Sequence, residues 1–407
     1  MKIKFPHIEP HQQELFDRIK YAKGTGETFV VKSPRQCGKT FMIKYVLLFY
    51  ALQYPGTKSI LLEPVGYQAR RVQRELNKDL RYKKLIESSN LTDGYITFIN
   101  GSEIHFKSAE QGENLRGMTA TGIFVIDEAA YITDTVYEIC LPFTNVAKAP
   151  KLIVSSPLFR QGFFYNEFMD SSNSAFDWNR EKYDFSLFLS PEDMERYRKK
   201  YTKQKFLTDI MGQFIDTMSE VFGNFRSCVC VPEDMRPEYG GLDWGSGVNN
   251  DSTCLTLMNK KKQVVYRWAT ADQDPVSQVA SIASIINSFP SLKAIYVEKN
   301  SIGNVYLSML RKQVTKIGII RSFDTTNQKK REIIENLIVA FEQRLIGIDN
   351  DPILWSQLAG FQMKKLAKGY TYGNDKDSTH DDRVLSLAFC YDMANNKPSG
   401  TIGFSKK

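Results

Sequence analysis

The sequence predicts an α/β protein of two domains in series, and three observations carry that prediction. Through residue 163, short β-branched runs alternate with amphipathic stretches, the pattern of a parallel sheet with crossover helices. A second unit of the same kind opens near Tyr239, beyond an interval of polar and aromatic sequence. A chain of 407 residues also exceeds what one hydrophobic core usually holds.

In the first domain, residues 1–163, strands are expected at Thr28 to Lys32, Ser59 to Glu63, Ile104 to Lys107, Ile123 to Asp127 and Leu152 to Ser155. Helices should begin near Gly38 and near Tyr67. Residues 164–225 change character, with helical stretches such as Pro191 to Tyr197, and read as a small lid or linker subdomain. In the second domain, residues 226–396, strands are expected at Gly241 to Trp244, Cys254 to Met258, Val264 to Trp268 and Ala294 to Glu298. Several β-runs precede its first helix, which implies a mixed sheet begun by a meander. Residues 397–407 read as a loose tail.

Apolar residues at 42% and charged residues at 25% are ordinary for globular proteins and argue against disordered or fibrous classes. The longest apolar run, Tyr45 to Leu52, is too short to cross a bilayer, and Met1 to Pro6 leads into no signal-peptide core. The expected location is therefore cytoplasm. Six scattered cysteines read as reduced thiols, and Cys228-x-Cys230 lacks the second pair a zinc site needs, so buried thiols are expected there. A net charge of +8 suits a polyanionic partner such as DNA without deciding for one.

Ser33-Pro34-Arg35-Gln36-Cys37-Gly38-Lys39-Thr40 follows an apolar strand and opens a helix, the context a phosphate-cradling loop requires. The helix N-terminus and loop N–H groups favour phosphate oxygens, Lys39 can neutralise the β- and γ-phosphates of ATP, and Thr40 can ligate Mg²⁺. Ser33 stands where such loops usually carry their first glycine. Downstream, Gly122 to Ile126 is an apolar run that ends in Asp127 and Glu128. Asp127 suits the Mg²⁺ shell and Glu128 the attacking water, so ATP hydrolysis is expected. Arg116 and Arg35 are candidates for the cation that stabilises the developing charge, although either can be an ordinary solvated arginine. Ser155 and Ser156 offer hydroxyls at the next strand end, and Gln12 or Gln13 can pair with adenine's N6/N7 edge or simply face solvent.

The second half carries acids at element ends. Asp243 closes a strand at a glycine-flanked turn, Glu298 closes another, and Asp381 with Asp382 precedes an amphipathic helix. Such carboxylates can converge on paired Mg²⁺ or Mn²⁺ ions roughly 3.5 to 4 Å apart for in-line attack on a phosphodiester, the logic of an RNase H-like nuclease. Each has a bland reading too, since Asp381 can cap the helix and Glu298 can pair with Lys299. Asp375 and Asp377 can add a ligand or be solvated turn residues, and Arg70, Arg71 and Arg74 can touch a phosphate backbone or face solvent. A helicase-like ATPase without cleavage and a non-enzymatic assembly protein are the competing readings.

Taken together, Arg35-Gln36-x-Gly38-Lys39-Thr40, Leu115-Arg116-Gly117, Ile126-Asp127-Glu128-Ala129, Ser155-Ser156-Pro157, Asp243-Trp244-Gly245, Glu298-x-Asn300-x-x-Gly303 and His380-Asp381-Asp382 resemble the large terminase subunits of tailed bacteriophages. The resemblance covers nearly the whole chain and accounts for Ser33, since that family commonly carries a deviant phosphate loop. It implies a P-loop NTPase domain of the ASCE/RecA-like type with a lid, followed by an RNase H-like nuclease domain. It also implies a motor that docks on the portal protein of an empty procapsid, works with a small terminase subunit, and assembles as a homo-oligomeric ring, a pentamer. Such a motor drives double-stranded DNA inward with ATP, cuts concatemers, acts in the host cytoplasm away from membranes, and is absent from the mature virion. By the same resemblance Arg35, Gln36, Cys37, Gly38, Lys39, Thr40, Asp127 and Gln12 hold nucleotide and Arg116 is a trans-acting arginine finger. Asp243, Glu298 and Asp382, with Asp381 as the competing third acid, then make the nuclease centre.

Overall fold

The computed structural model describes residues 7–79, 83–186, 188–216, 221–245, 252–271, 274–299, 303–316, 318–365, 370–374 and 380–395. They divide into two compact units, the first from residues 1–198 and 203–217 and the second mostly from residue 218 onward.

The first unit is built on strands β1 (Thr28–Lys32), β2 (Lys58–Glu63), β3 (Ile86–Asn90), β4 (Tyr95–Phe98), β5 (Glu103–Ser108), β6 (Phe124–Ile126), β7 (Lys151–Ser155) and β8 (Ser174–Asp177). Their order is β3-β4-β5-β2-β6-β7-β1-β8. From β5 to β8 all neighbours are parallel, while β3 and β4 extend one edge antiparallel. The central strands are apolar on both faces because both are covered. Phe29, Val31, Leu61 and Val125 enter one core cluster, whereas Val30, Ile60, Leu62, Phe124 and Ile126 enter the other. Helices α1 (Pro10–Ile19), α2 (Lys39–Gln53) and α3 (Gly66–Lys78) contribute Leu15, Val46 and Val72 to the first cluster.

All five strands expected here exist, within a residue or two at their ends. Strands β3, β4 and β8 were not expected. Ile86-Glu87-Ser88-Ser89-Asn90 carries no apolar alternation and is held by pairing with β4 and by Gln73 and Asn77 of α3, and β8 is only four residues long. β8 lies within the stretch read as a lid or linker, and pairs with β1 at the sheet edge.

The second unit has strands β9 (Tyr239–Asp243), β10 (Thr253–Met258), β11 (Val264–Thr270), β12 (Ala294–Glu298) and β13 (Ile320–Phe323), in the order β11-β10-β9-β12-β13. β9, β10 and β11 form an antiparallel meander, and β12 runs parallel to β9 and β13. This is the mixed sheet that the sequence implies. A separate pair, β14 (Phe361–Lys365) and β15 (Tyr370–Asn374), follows.

The helix Asp382–Asn395 is buried along most of its length and lies directly on β9. Gly241 makes that approach possible: a Cβ there would meet the Cys390 nitrogen and the Ser386 carbonyl oxygen at 2.3 Å. Gly241→Ala is expected to push the helix off the sheet and destabilise the second unit by about 1–3 kcal/mol. Differential scanning fluorimetry should show a lowered transition, and an unchanged melting profile would refute the close-packing argument. Among the described residues, no helix is long and apolar enough to cross a membrane.

Candidate active sites

The C-terminal ends of β1, β2, β6 and β7 bring the first site together, as open parallel sheets do. The phosphate loop runs from Ser33 to the start of α2, and its turn needs two residues in the left-handed region, Gln36 at φ 55° and Gly38 at φ 82°. Lys39 is buried, and its Nζ donates to Ser156 Oγ at 2.5 Å and stands 3.6 Å from Glu128 Oε1. Ser155 Oγ accepts the Ala130 N–H at 3.1 Å and donates to the Ser156 carbonyl at 2.8 Å, so both serines brace this edge. Asp127 and Glu128 lie just past the last residue of β6. The Asp127 carboxylate accepts the Glu128 N–H at 2.8 Å, and Glu128 is held at φ 47°.

Burial pushes the Asp127 carboxyl up to about 7, aided by the Glu128 charge beside it and opposed by Lys39. Burial would lower the Lys39 ammonium, but Glu128, Cys37 and Asp127 outweigh it and the net shift is upward. A third acid, Glu63 at the end of β2, is raised to about 9 by burial and by repulsion from Asp127 and Glu128. The sequence reading missed it, although a strand ending in an acid is visible at Leu61-Leu62-Glu63. Arg71, considered as a DNA contact, exerts its charge on Glu63 and Asp127 and stands 3.7 Å from Glu75.

Gln12 and Gln13 part company. Gln12 is buried and donates from Nε2 to the Gly38 carbonyl at 3.2 Å, while Gln13 is exposed and donates to Asp17 at 2.9 Å. His11, not singled out in the sequence, places a ring nitrogen 2.9 Å from the Cys37 carbonyl, in a nest of Trp178, Tyr183, Phe185 and Phe188. Arg35 pairs at 3.2 Å with Asp209 Oδ1, and its N–H donates to the Asp209 carbonyl at 2.7 Å. Asp209 sits in a short π-helical stretch, Phe206–Ile210, that no residue pattern announced. Arg116 is exposed at the end of a short turn and pairs with Glu113.

In the second unit, Asp243 closes β9 and Glu298 closes β12, its parallel neighbour. Burial drives the Asp243 carboxyl well above its ordinary value. The Glu298 charge and a hydrogen bond to Glu298 add to the shift, followed by the charges of Asp381 and Asp382. Glu298, Asp381 and Asp382 therefore all act on Asp243. The two neighbouring acids differ: Asp382 is buried and accepts the Ser252 N–H at 2.8 Å, whereas Asp381 Oδ2 pairs with Lys330 Nζ at 2.9 Å. Lys299 stands 3.4 Å from Asp324. Asp375, Asp377 and Asn300 lie outside the described residues.

Oxygen-only carboxylates suit Mg²⁺ or Mn²⁺. A buried acid forced to keep its proton by like charges is what a divalent cation would relieve. Among the described residues, no group of three His, Cys, Asp or Glu side chains is already arranged to hold an ion. The Cys228-x-Cys230 pair offers no such set either. All six cysteines are free, and Cys230 is exposed, which corrects the expectation that both thiols of the pair are buried.

Comparison with known proteins decides the family. The description "Terminase large subunit, T4likevirus-type, N-terminal" matches residues 31–227, and "Terminase RNaseH-like domain" matches residues 240–394. The chain belongs to the terminase large-subunit family. Large terminase subunits of Thermus phage G20c and Thermus virus P23-45 are each 23% identical to it over 444 aligned residues, covering 96% of this chain and 88% of theirs. A solved large terminase from a thermophilic bacteriophage superposes with a TM-score of 0.64 at 14% identity, covering 95% of this chain and 99% of that one. As a terminase large subunit the chain joins an ATPase and a nuclease, the activities of viral genome packaging and DNA cutting.

Proposed function

We propose that the chain is the ATP-driven motor and cutter of a tailed phage, with 1–163 as ATPase core, 164–225 as lid or linker, 226–396 as nuclease and 397–407 as tail. The observation that carries this reading is the buried acid set around Asp243 in the same polypeptide as the Lys39–Glu128 cradle. The thermophilic phage relative has been solved with ADP and with ATP-γ-S, which supports nucleotide as the ligand of the first site.

In the ATPase, the loop Arg35 to Thr40 and the N-terminus of α2 receive the triphosphate. The Lys39 ammonium, now facing Glu128 and Ser156, turns to the phosphate oxygens, and Glu128 becomes free to orient water. Thr40 and Asp127 would hold Mg²⁺, which neutralises phosphate charge when bound. The exposed Arg116 suits a residue offered to the site of a neighbouring copy in a ring. In the nuclease, Asp243, Glu298 and Asp382 would hold the divalent ions, Mg²⁺ or Mn²⁺, which activate water and stabilise the leaving oxygen when bound. Asp382 is preferred to Asp381 because it is the more buried of the two and Asp381 is already engaged by Lys330.

Double-stranded DNA, the portal protein and the small subunit are the partners, and the infected cell's cytoplasm is the place of action. The test is incubation of purified protein with supercoiled plasmid, with Mn²⁺ or with EDTA, beside phosphate release from ATP. Cutting that needs Mn²⁺ together with ATP turnover is the expected result, and strand unwinding without cutting would favour the helicase-like rival.

The contrast between the two glutamines yields a smaller prediction. Gln12→Ala removes a hydrogen bond that shapes the phosphate loop and should raise KM for ATP by about tenfold. Gln13→Ala should leave it unchanged, and equal effects in steady-state phosphate release would argue against the placement.

A further inference from the structure

Resting on the nuclease reading of the second unit, we propose that Lys330 is a DNA-phosphate contact of the nuclease centre, held beside its acids by Asp381. Lys330 lies in the first turn of the helix Asn327–Glu342, and its Nζ is 2.9 Å from Asp381 Oδ2. The Asp381 charge also reaches Asp243, so this ammonium is paired with a carboxylate that acts on the acid cluster.

The two adjacent acids divide their work. Asp382 is directed to the sheet ends, where it accepts the Ser252 N–H and its charge acts on Asp243 and on Cys254 of β10. Asp381 is directed to the flanking helix, where it tethers Lys330. A centre made of Asp243, Glu298 and Asp382 carries only negative side chains and repels the backbone of the strand it cuts. Divalent ions offset that repulsion at the scissile phosphate but leave its neighbours unpaired, and a tethered ammonium can meet one of them as a point charge.

The local sequence supports this reading, because the first turn holds Lys329 and Lys330, with Arg331 just after them, and no acid. Cations at the positive end of a helix disfavour it by a few tenths of a kcal/mol each, the opposite of what stability alone would select. Lys329 and Arg331 rest over the rings of Phe323 and Tyr370, while Lys330 alone of the three has a described pairing with an acid of the centre.

The experiment uses the full-length protein and Lys330→Ala and Lys330→Arg variants, with ATP hydrolysis as the control for folding. Plasmid cutting is measured as a function of DNA and of Mn²⁺, and duplex binding in EDTA as a function of salt. For Lys330→Ala the expected result is a DNA half-saturation raised by about tenfold. The Mn²⁺ midpoint should be unchanged, and the log–log salt slope should be shallower by about one phosphate contact. Lys330→Arg should restore most of the affinity. A Lys330→Ala variant with unchanged DNA half-saturation and salt slope overturns the proposal, and so does one whose only change is a shifted Mn²⁺ midpoint, since that marks a lysine that merely neutralises Asp381. Wild-type protein that cuts nothing with Mn²⁺ would instead remove the underlying nuclease reading.

Discussion

Glu128→Ala is expected to lower ATP turnover by about a thousandfold or more while metal-dependent plasmid cutting persists. The Glu128 carboxylate sits at the mouth of the phosphate loop, 3.6 Å from Lys39, on the residue that follows the acid suited to Mg²⁺. Its backbone adopts φ 47°, a conformation as awkward for alanine as for glutamate, so the substitution adds no new backbone strain. It does remove a partner from a buried lysine, and Glu128→Gln serves as the variant that keeps the shape and a polar contact. Phosphate release and plasmid digestion on the same preparation check the outcome. Loss of both activities to the same extent in both variants would argue against separable sites.

Asp243→Ala is expected to do the reverse, removing plasmid cutting by about a thousandfold while ATP turnover stays near wild type. Asp243 is the acid on which the others converge, so the centre loses its hub rather than one of several equivalent ligands. A stability signature should accompany the loss of activity. Because burial and Glu298 raise this carboxyl in the folded protein, the native state binds its proton more tightly than the unfolded chain does. Ionising it therefore disfavours folding. In EDTA at neutral pH, Asp243→Asn should melt above wild type, and the difference should shrink as pH falls toward the ordinary carboxyl value of about 4. Wild-type cutting by Asp243→Ala protein with Mn²⁺ would mean that the acids of the second unit have been assigned the wrong task.

Much of the fold could be read from the chain because its central strands are covered on both faces and so appear as unbroken apolar runs, as in Phe29-Val30-Val31 and Ile60-Leu61-Leu62. The edge strands of the first sheet, β3 and β8, could not. Ile86–Asn90 is polar and gains its place by hydrogen bonding to β4, a pairing of backbone groups that leaves no apolar period in the side chains. The acids and the phosphate loop were legible for a different reason: each ends or begins a regular element, so a change of pattern marks it.

By itself, then, the sequence determined which residues could do chemistry and on which element ends they stand, since periodicity and turn residues are local properties. Tertiary structure alone decided between near neighbours. Gln12 turns to Gly38 while Gln13 turns to Asp17, and Asp382 faces the sheet while Asp381 faces Lys330. It also supplied Asp209 and Lys330, whose importance lies in pairing with Arg35 and Asp381 far away along the chain. Adjacent residues of one type look alike in a sequence. Only the direction each side chain takes in the packed protein, set by helix rotation and by the surfaces that cover it, separates their roles.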